Sequence, residues 1–198
     1  MKINGFNILF LLVGLVLTLI VVTPALSLVS LPRSGEHFSE LWLLGPERMA
    51  ENFPFNVSVN EQHRVYVGVG NHLGKLAYYS LYVKFGNKTH QLPNSTTSEP
   101  SPLPPLHEFR FALSDGEVWE APLIFDFEYV LLQENVSLVQ SVSINGLVFP
   151  VDYISVWDSD RNGFYFQMFF ELWLYDMASS DFQYHNRDAR LWLNMTGF

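Results

Sequence analysis

The chain runs for 30 residues, between Lys2 and Arg33, without a charged side chain, and this stretch constrains the fold more than any other feature. Its densest apolar part covers residues 6–22, and apolar residues continue to Leu31. About 20 apolar residues in a helix are enough to cross the hydrocarbon core of a bilayer. We therefore predict a single transmembrane signal anchor over residues 6–31.

A cleaved signal peptide is the alternative for this segment. Thr23-Pro24-Ala25 and Ala25-Leu26-Ser27 both resemble the small-residue sites at which signal peptides are cut. The apolar region of a signal peptide has only about 7–15 residues, so the length of this one favours an anchor that is kept.

The positive charge of Lys2 and of the amino terminus lies on the short side of the predicted anchor. The positive-inside rule then gives residues 1–5 as a cytoplasmic N-terminus and 32–198 as an extracytoplasmic domain. We expect a single-pass protein of the cell membrane, with the lipid bilayer as its first partner.

Acceptor sites for N-glycosylation support this topology. Motifs of the form N-x-S/T occur five times, and none has proline in the middle position. Such a number among 13 Asn exceeds what chance would produce, and glycosylated Asn lies on the surface of exported domains. The candidates are Asn56, Asn87, Asn94, Asn135 and Asn194.

The composition narrows the classes of partner. The formal charge is −9, with no run of Lys or Arg, which argues against nucleic acid because phosphate contacts need clustered cations. The chain has no Cys, whereas small exported domains of animals usually carry disulfides. We therefore expect a microbial surface protein whose core is sufficient without covalent links.

Alternation of apolar and polar residues predicts β-strands throughout the outer domain. In 77–85, for example, Tyr79, Leu81, Val83 and Phe85 share one face. The same period appears in four further segments, 63–70, 107–113, 123–131 and 191–195. One polar and one apolar face per strand is typical of antiparallel sheets in a sandwich.

The segment Phe164–Tyr175 is apolar on nearly both faces, which predicts a central strand. Weaker patterns predict further strands at 38–44, 57–59, 137–144 and 151–157. With about eight or nine strands, the predicted fold is an all-β, immunoglobulin-like antiparallel β-sandwich behind one N-terminal transmembrane helix.

Residues 92–105 interrupt the pattern with a sequence rich in Pro and Ser. Such a segment is extended and solvated. It could link two domains, but each half would be too small for a sandwich. We therefore predict one domain with a long exposed loop.

The segment from Asp158 to Gly163 has two interpretations. Asp158, Asp160 and Asn162 alternate as in the opening of a calcium-binding loop, although Phe169 occupies the position of the closing Glu. The other interpretation, which we favour, is a β-hairpin with Asn162-Gly163 as its tight turn, and hence no metal site.

Motifs for catalysis are absent from the sequence. It contains no G-x-S-x-G, no H-E-x-x-H, no cysteine nucleophile and no pair of His at metal-binding spacing. Acidic residues could form a glycosidase pair and aromatic residues could stack on sugars, among them Trp42, Trp119, Trp157 and Trp192. We expect no catalytic residues and no cofactor.

Two regions of the chain resemble a known family. Residues 38–72 hold an aromatic strand, an LGP turn, a Pro-x-Asn turn and a V-x-V-G-V-x-N-H strand, and the C-terminal part holds an L-W-L-N strand. These segments resemble the soluble domain of the domain of unknown function 1616 family of archaeal membrane proteins. The matching residues are Leu44, Gly45, Pro46, Phe53, Pro54, Asn56, Gly68, Asn71, His72, Leu191, Trp192 and Asn194.

The resemblance implies an archaeal origin, an extracytoplasmic sandwich and a membrane tether, but no activity. The sequence thus favours a structural or interaction module of the cell envelope that contacts envelope proteins or glycans. The alternative is a carbohydrate-binding or carbohydrate-active surface protein, which a groove with paired carboxylates beside exposed Trp would support.

Overall fold

The structure, a computed structural model, describes residues 11–18, 20 and 36–197. Residues 11–18 and 20 are helical. Within the described residues, no helix is both long and apolar enough to cross a membrane. Residues 1–5 and most of the predicted anchor at 6–31 lie outside the described residues, so the prediction for them stands as made. His37–Phe198 forms a compact unit, described by itself below.

The unit from His37 onward consists of ten strands in two five-stranded sheets. The strands are β1 (Phe38–Leu44), β2 (Asn56–Ser58), β3 (His63–His72), β4 (Ala77–Asn87), β5 (His107–Leu113), β6 (Val118–Gln133), β7 (Val136–Ile144), β8 (Leu147–Val156), β9 (Tyr165–Asp176) and β10 (Asp181–Gly197). The first sheet has the order β1-β3-β6-β7-β8 and the second β2-β10-β9-β4-β5. Neighbouring strands are antiparallel except β2 and β10, which are parallel. The mostly β, two-sheet architecture is thus confirmed.

Alternating side chains from both sheets build one core. Tyr79, Leu81, Val83 and Phe85 of β4 are all at most 1 % exposed, as their shared face predicts. They belong to the same buried cluster as the inward residues of β6, such as Phe125.

Three strands begin well before their sequence pattern indicates. β6 begins at Val118 rather than at 123, β8 at Leu147 rather than at 151, and β10 at Asp181 although the sequence alternates only in 191–195. The first half of β10 is rich in charge, and a shift of register between Tyr184 and Arg187 breaks its period. Backbone pairing with β9 holds this half in the sheet regardless of its side chains.

β9 is the central strand of its sheet, as predicted, and it lies between β10 and β4. Its residues 165–172 are all buried. Phe166, Met168 and Phe170 belong to the core, whereas Phe169 and Glu171 alternate with them and face away from it. The outer face of a sheet would meet water, so something else must cover these residues.

The cover includes residues 88–106, which we call the strap. At its centre the side chain of Ser101 is buried, and its backbone N–H donates to Glu171 Oε1 at 2.7 Å while its carbonyl accepts from Lys84 Nζ at 2.7 Å. Lys84 and Glu171 form an ion pair of 2.8 Å with side chains 3 % and 0 % exposed. The tip at 94–99 is exposed, but the buried anchor at Ser101 was not foreseen from the Pro/Ser-rich sequence.

The strand directions give the sandwich two distinct ends. The near end is the one where β1 begins at Phe38; the far end is opposite. The near end holds three short turns, which join β3 to β4, β5 to β6 and β9 to β10. They are residues 73–76, 114–117 and 177–180. The far end holds the segments 45–55, 134–135 and 157–164 and the start of the strap.

We predict that the buried ion pair fastens the strap. Lys84→Met or Glu171→Leu alone should lower the free energy of unfolding by about 3–5 kcal/mol, because each leaves one charge buried without its partner. The double variant should cost clearly less than the sum of the two. Denaturant titration of the full chain in detergent, followed by Trp fluorescence, measures this.

Lys88→Met is the matched control. It breaks an ion pair of the same 2.8 Å length, to Asp158, but with Lys88 43 % exposed, so a loss of at most about 1 kcal/mol is expected. Additive single effects at positions 84 and 171 would show that the two side chains do not act together.

Candidate functional site

Asn71, one of the residues that carry the family resemblance, organises the near end. Its side chain is fully buried and donates to the carbonyls of Lys75 and Leu113, both at 2.8 Å. Its Oδ1 accepts from the backbone N–H of Leu73 at 3.1 Å and from the Tyr79 hydroxyl at 3.1 Å. All of these bonds are internal, so Asn71 fixes the shape of two near-end turns and leaves no group for a ligand.

A polar network extends from this residue across the two sheets. The Tyr79 hydroxyl lies 2.7 Å from Ser39 Oγ, which in turn lies 2.9 Å from His185 Nε2. Burial lowers the pKa of His185, and the nearby charge of Arg187 lowers it further. His185 is therefore neutral near pH 7, and it serves as a structural hydrogen-bond partner between β10 and β1.

Gly68 is a second family residue with a structural explanation. It pairs with Trp42 across β1 and β3, and a Cβ at position 68 would collide with the indole ring. The glycine therefore lets Trp42 lie flat on the neighbouring strand. Trp42 is half-buried here, and Trp119 stacks on Phe111 with centroids 4.1 Å apart, so neither is a free platform for a sugar.

The predicted acceptor Asn differ in how available their side chains are. Asn194 is 6 % exposed; its Nδ2 donates to Asn56 Oδ1 at 3.1 Å and its Oδ1 accepts from the N–H of Phe164 at 3.0 Å. A Cβ at Gly163 would collide with this amide. Asn194 thus has a structural role that its sequence motif does not reveal.

The other acceptors lie nearer the surface. Asn87 Nδ2 donates to the carbonyl of Ile154 at 2.6 Å. Within the part of the chain that the structure describes, the amide nitrogens of Asn56, Asn94 and Asn135 donate no hydrogen bond, and all three residues are exposed.

The five motifs are distributed unevenly over the sandwich. Asn56, Asn87, Asn135 and Asn194 lie in the far half, and Asn94 lies at the tip of the strap. None of the five is at the near end.

The loop 158–163 connects β8 of the first sheet to β9 of the second, so the prediction of a hairpin between two paired strands is wrong. Asp158 and Gly163 still form an isolated antiparallel bridge at the base of the loop, and Asn162 has the positive φ of a turn residue. Asp158 closes the loop, because its Oδ1 accepts from the N–H groups of Asp160 and Arg161 at 3.1 and 3.3 Å. Its Oδ2 pairs with Lys88 Nζ at 2.8 Å, and this bond lowers the pKa of Asp158.

The calcium hypothesis for Asp158, Asp160 and Asn162 gains no support from this geometry, since the first carboxylate is already used by Lys88 and the turn. Across the described residues, no three His, Asp or Glu side chains are grouped so as to hold a metal ion.

Two grooves flank this loop at the far end. One, of ≈ 660 Å³, is lined by Phe55, Arg161, Tyr165 and Trp192. The Tyr165 ring lies 6.1 Å from Phe55 and 6.4 Å from Trp192, and Trp192 is 38 % exposed. We call it the aromatic groove. It combines exposed π-faces with one guanidinium, a set that can hold a flat or cyclic ligand bearing negative charge.

The second groove, of ≈ 470 Å³, lies on the other side of the loop. Trp157 lines it and is 39 % exposed, packing edge-on against Phe164 at 4.9 Å. Asn135, a candidate glycosylation site, is at its rim. Trp157 and Trp192 thus form a matched pair of exposed indoles on either side of one loop.

Carboxylates do not line the aromatic groove. A separate groove on the first sheet holds Asp126 and Glu128 beside Asn60, Gln62 and Tyr129, with no Trp. The arrangement of paired carboxylates next to exposed Trp, which would indicate carbohydrate chemistry, is therefore not formed in any of these grooves.

We predict that an acceptor Asn carries a glycan only where the residue is exposed and its side-chain amide nitrogen donates no hydrogen bond. Peptide mass spectrometry of the protein from its native host should find glycans on Asn94 and Asn135, and Asn194 bare in the folded protein, because its amide is buried and hydrogen-bonded. Glycan on Asn194 with Asn94 and Asn135 bare would contradict this.

A matched pair of variants separates modification from structure at this motif. Asn194→Ala should lower the free energy of unfolding by about 1–3 kcal/mol, because the N–H of Phe164 loses its acceptor. Thr196→Ala destroys the same motif without touching Asn194, and it should leave stability unchanged.

Comparison with known proteins gives a family and little else. No curated protein matches the chain. Two crystal structures of a beta-glucosidase from Listeria innocua, in complex with gluconolactone and with glucose, resemble it at TM-scores of 0.30 and 0.31 and identities of 14 % and 13 %. The matched region covers 83 % of this chain but only 17 % of each glucosidase chain. At such TM-scores the likeness carries no argument.

The family match covers residues 32–138, more than half of the chain, and it includes Gly45, Asn56, Gly68 and Asn71 but not the C-terminal L-W-L-N strand. The chain therefore belongs to the family described as "Domain of unknown function (DUF1616)".

Proposed function

We propose that this protein is a single-pass, membrane-tethered module of an archaeal cell envelope, glycosylated and without catalysis. Its N-terminus lies in the cytoplasm, and its two-sheet domain, an immunoglobulin-like sandwich, lies outside and contacts envelope proteins or glycans.

The uneven distribution of the acceptor motifs is the observation that carries this proposal. The chain arrives from the predicted anchor at the near end, where β1 begins at Phe38, and all five motifs lie away from that end. Glycans on the exposed motifs, Asn56, Asn94 and Asn135, would then point away from a bilayer below the near end, which would obstruct them.

The ionisable groups favour contact over catalysis. Glu171, the fully buried carboxylate among the described residues, is paired with Lys84 beneath the strap, where no substrate reaches it. The aromatic groove offers π-faces and Arg161 without an acid or base to drive a reaction. Catalysis by proton transfer needs such groups within hydrogen-bond reach of a substrate.

We predict that the loop 158–163 faces the outside of the cell. The chain has no Cys, so Ser159→Cys introduces a single reactive thiol at an exposed position. A membrane-impermeant maleimide added to intact cells should label it fully. Asn4→Cys, on the predicted cytoplasmic side, should be labelled only after lysis.

The reverse pattern, with Ser159→Cys protected and Asn4→Cys labelled, would contradict the topology. Labelling of Ser159→Cys in the culture medium rather than on cells would show instead that the N-terminal segment is cleaved.

Carbohydrate binding is a second candidate, favoured by the aromatic groove alone. Among the described residues Arg161 pairs with no carboxylate, which is also true of Arg64, Lys75 and Arg187. What distinguishes Arg161 is that it lines the aromatic groove. Stacking on Trp192 and Phe55 with a charge-assisted bond to Arg161 suits a sugar that carries a carboxylate.

On this second candidate, Trp192→Ala should weaken the binding of polygalacturonate at least about tenfold, as truncation of a central aromatic contact usually does. Trp157→Ala removes an indole of equal exposure from the neighbouring groove and should change the affinity little. Equal losses in the two variants, or no binding by the unmodified protein, would rule the candidate out.

A further inference from the structure

The near end of the sandwich exposes two apolar side chains at the tips of its turns. Met177 is 84 % exposed and Leu76 is 69 % exposed, more than any other large apolar residue described after His37. Single apolar residues on a surface are common, but these two lie in turns at the same end of adjacent strands. The last pair between β4 and β9 at this end is Tyr79 with Leu174, and the same register extended by three residues would set Leu76 opposite Met177.

Aromatic side chains form a layer directly above these tips. Tyr78 lies 6.0 Å from Tyr175 and 5.2 Å from Phe182, and both Tyr are more than one-third exposed. The guanidinium of Arg110 lies over the Phe182 ring at 5.4 Å. Apolar tips below a belt of Tyr and Phe are the arrangement that suits the boundary between lipid and water.

The charges at this end favour a neutral lipid surface. Asp176 accepts from the N–H groups of Ala178 and Ser179, and Asp115 accepts from the N–H of Gly74 at 2.8 Å, so the acids shape the turns themselves. Lys75 is the one cation in the three near-end turns. An anionic surface would be repelled rather than attracted.

The length of chain before β1 keeps this end close to the bilayer. Only six residues, 32–37, separate the predicted anchor from Phe38, and at full extension they reach about 20 Å. The far end lies on the opposite side of the sandwich, so this linker does not hold it close to the bilayer.

We propose that the turns 73–76 and 177–180 rest on the outer surface of the bilayer, with Leu76 and Met177 inserted among neutral headgroups. This inference rests on the proposed function, because it needs the tether. It adds a second contact with the membrane, one that fixes the orientation of the domain.

The test uses the full chain reconstituted in phosphatidylcholine vesicles that contain nitroxide-labelled headgroups. An environment-sensitive fluorophore on Ala178→Cys keeps both tips intact. We expect it to be quenched roughly threefold more than the same label on Ser159→Cys, since interfacial segments insert to a depth of about 5–10 Å. Adding phosphatidylglycerol should not increase the quenching.

Two further variants assign the effect to the tips. In the Ala178→Cys background, Leu76→Ser/Met177→Ser should reduce the quenching to that of the Ser159 label. Leu147→Ser/Val148→Ser removes two apolar residues that are 56 % and 51 % exposed elsewhere, and it should have no effect.

Equal quenching at 178 and 159, or quenching that survives the loss of both tips, would overturn the inference. A change at 178 that vanishes on diluting the protein in lipid would also overturn it, because it would identify a second copy as the occupant. The labelling of intact cells is independent: if Ser159→Cys is labelled from outside but the 178 label is not quenched, only this inference fails.

Discussion

The register of β4, β9 and β10 decides which residues reach which end of the sandwich, and the functional account depends on it. Tyr79 pairs with Leu174 and Asn87 with Phe166, so one continuous ladder separates the turn at 177–180 from the acceptor Asn87. A slip of one residue would turn every core residue of β9 outward. The alternating aromatic residues of the core make that slip energetically costly, so the register is fixed. The fixed register determines which residues lie in the turns at the near end and which lie at the far end.

The strap helps to cover the face of β9 that this register turns away from the core. A central strand buried on its core face still carries Phe169 and Glu171 on the other face. Residues 88–106 contribute to the cover over that face, and the ion pair of Glu171 with Lys84 binds both backbone groups of Ser101. A buried pair of this kind stabilises little against an apolar replacement but specifies where the strap lies. The result is a covered outer face at the centre of the second sheet, around Lys84 and Glu171.

Period-2 alternation was enough to predict β4 and the all-β class, because packing on one core rewards that pattern directly. The central position of β9 was predicted from a different signal, a segment that is apolar on nearly both faces. Alternation missed the first half of β10, whose pairing is made by backbone groups that carry no sequence signal. It also missed the role of Asn194, since a glycosylation motif and a buried amide look alike in sequence. The buried ion pair that fastens the strap had a faint sequence signal, because Lys84 and Glu171 are lone charges within otherwise apolar strands. Their partner Ser101 lies in the Pro/Ser-rich loop, 70 residues away from Glu171.

The orientation of the domain on the membrane is the central claim, and energy transfer measures it most directly. Donors on Ala178→Cys and Ser159→Cys, with acceptor lipids at the surface of vesicles that hold the full chain, report the height of each end. Because β4 spans Ala77–Asn87, the two ends are separated by about 30 Å at the rise of an extended strand. The account predicts that the 159 donor lies farther from the lipid surface by about this distance. Equal heights, or a 159 donor nearer to the lipid, would contradict it.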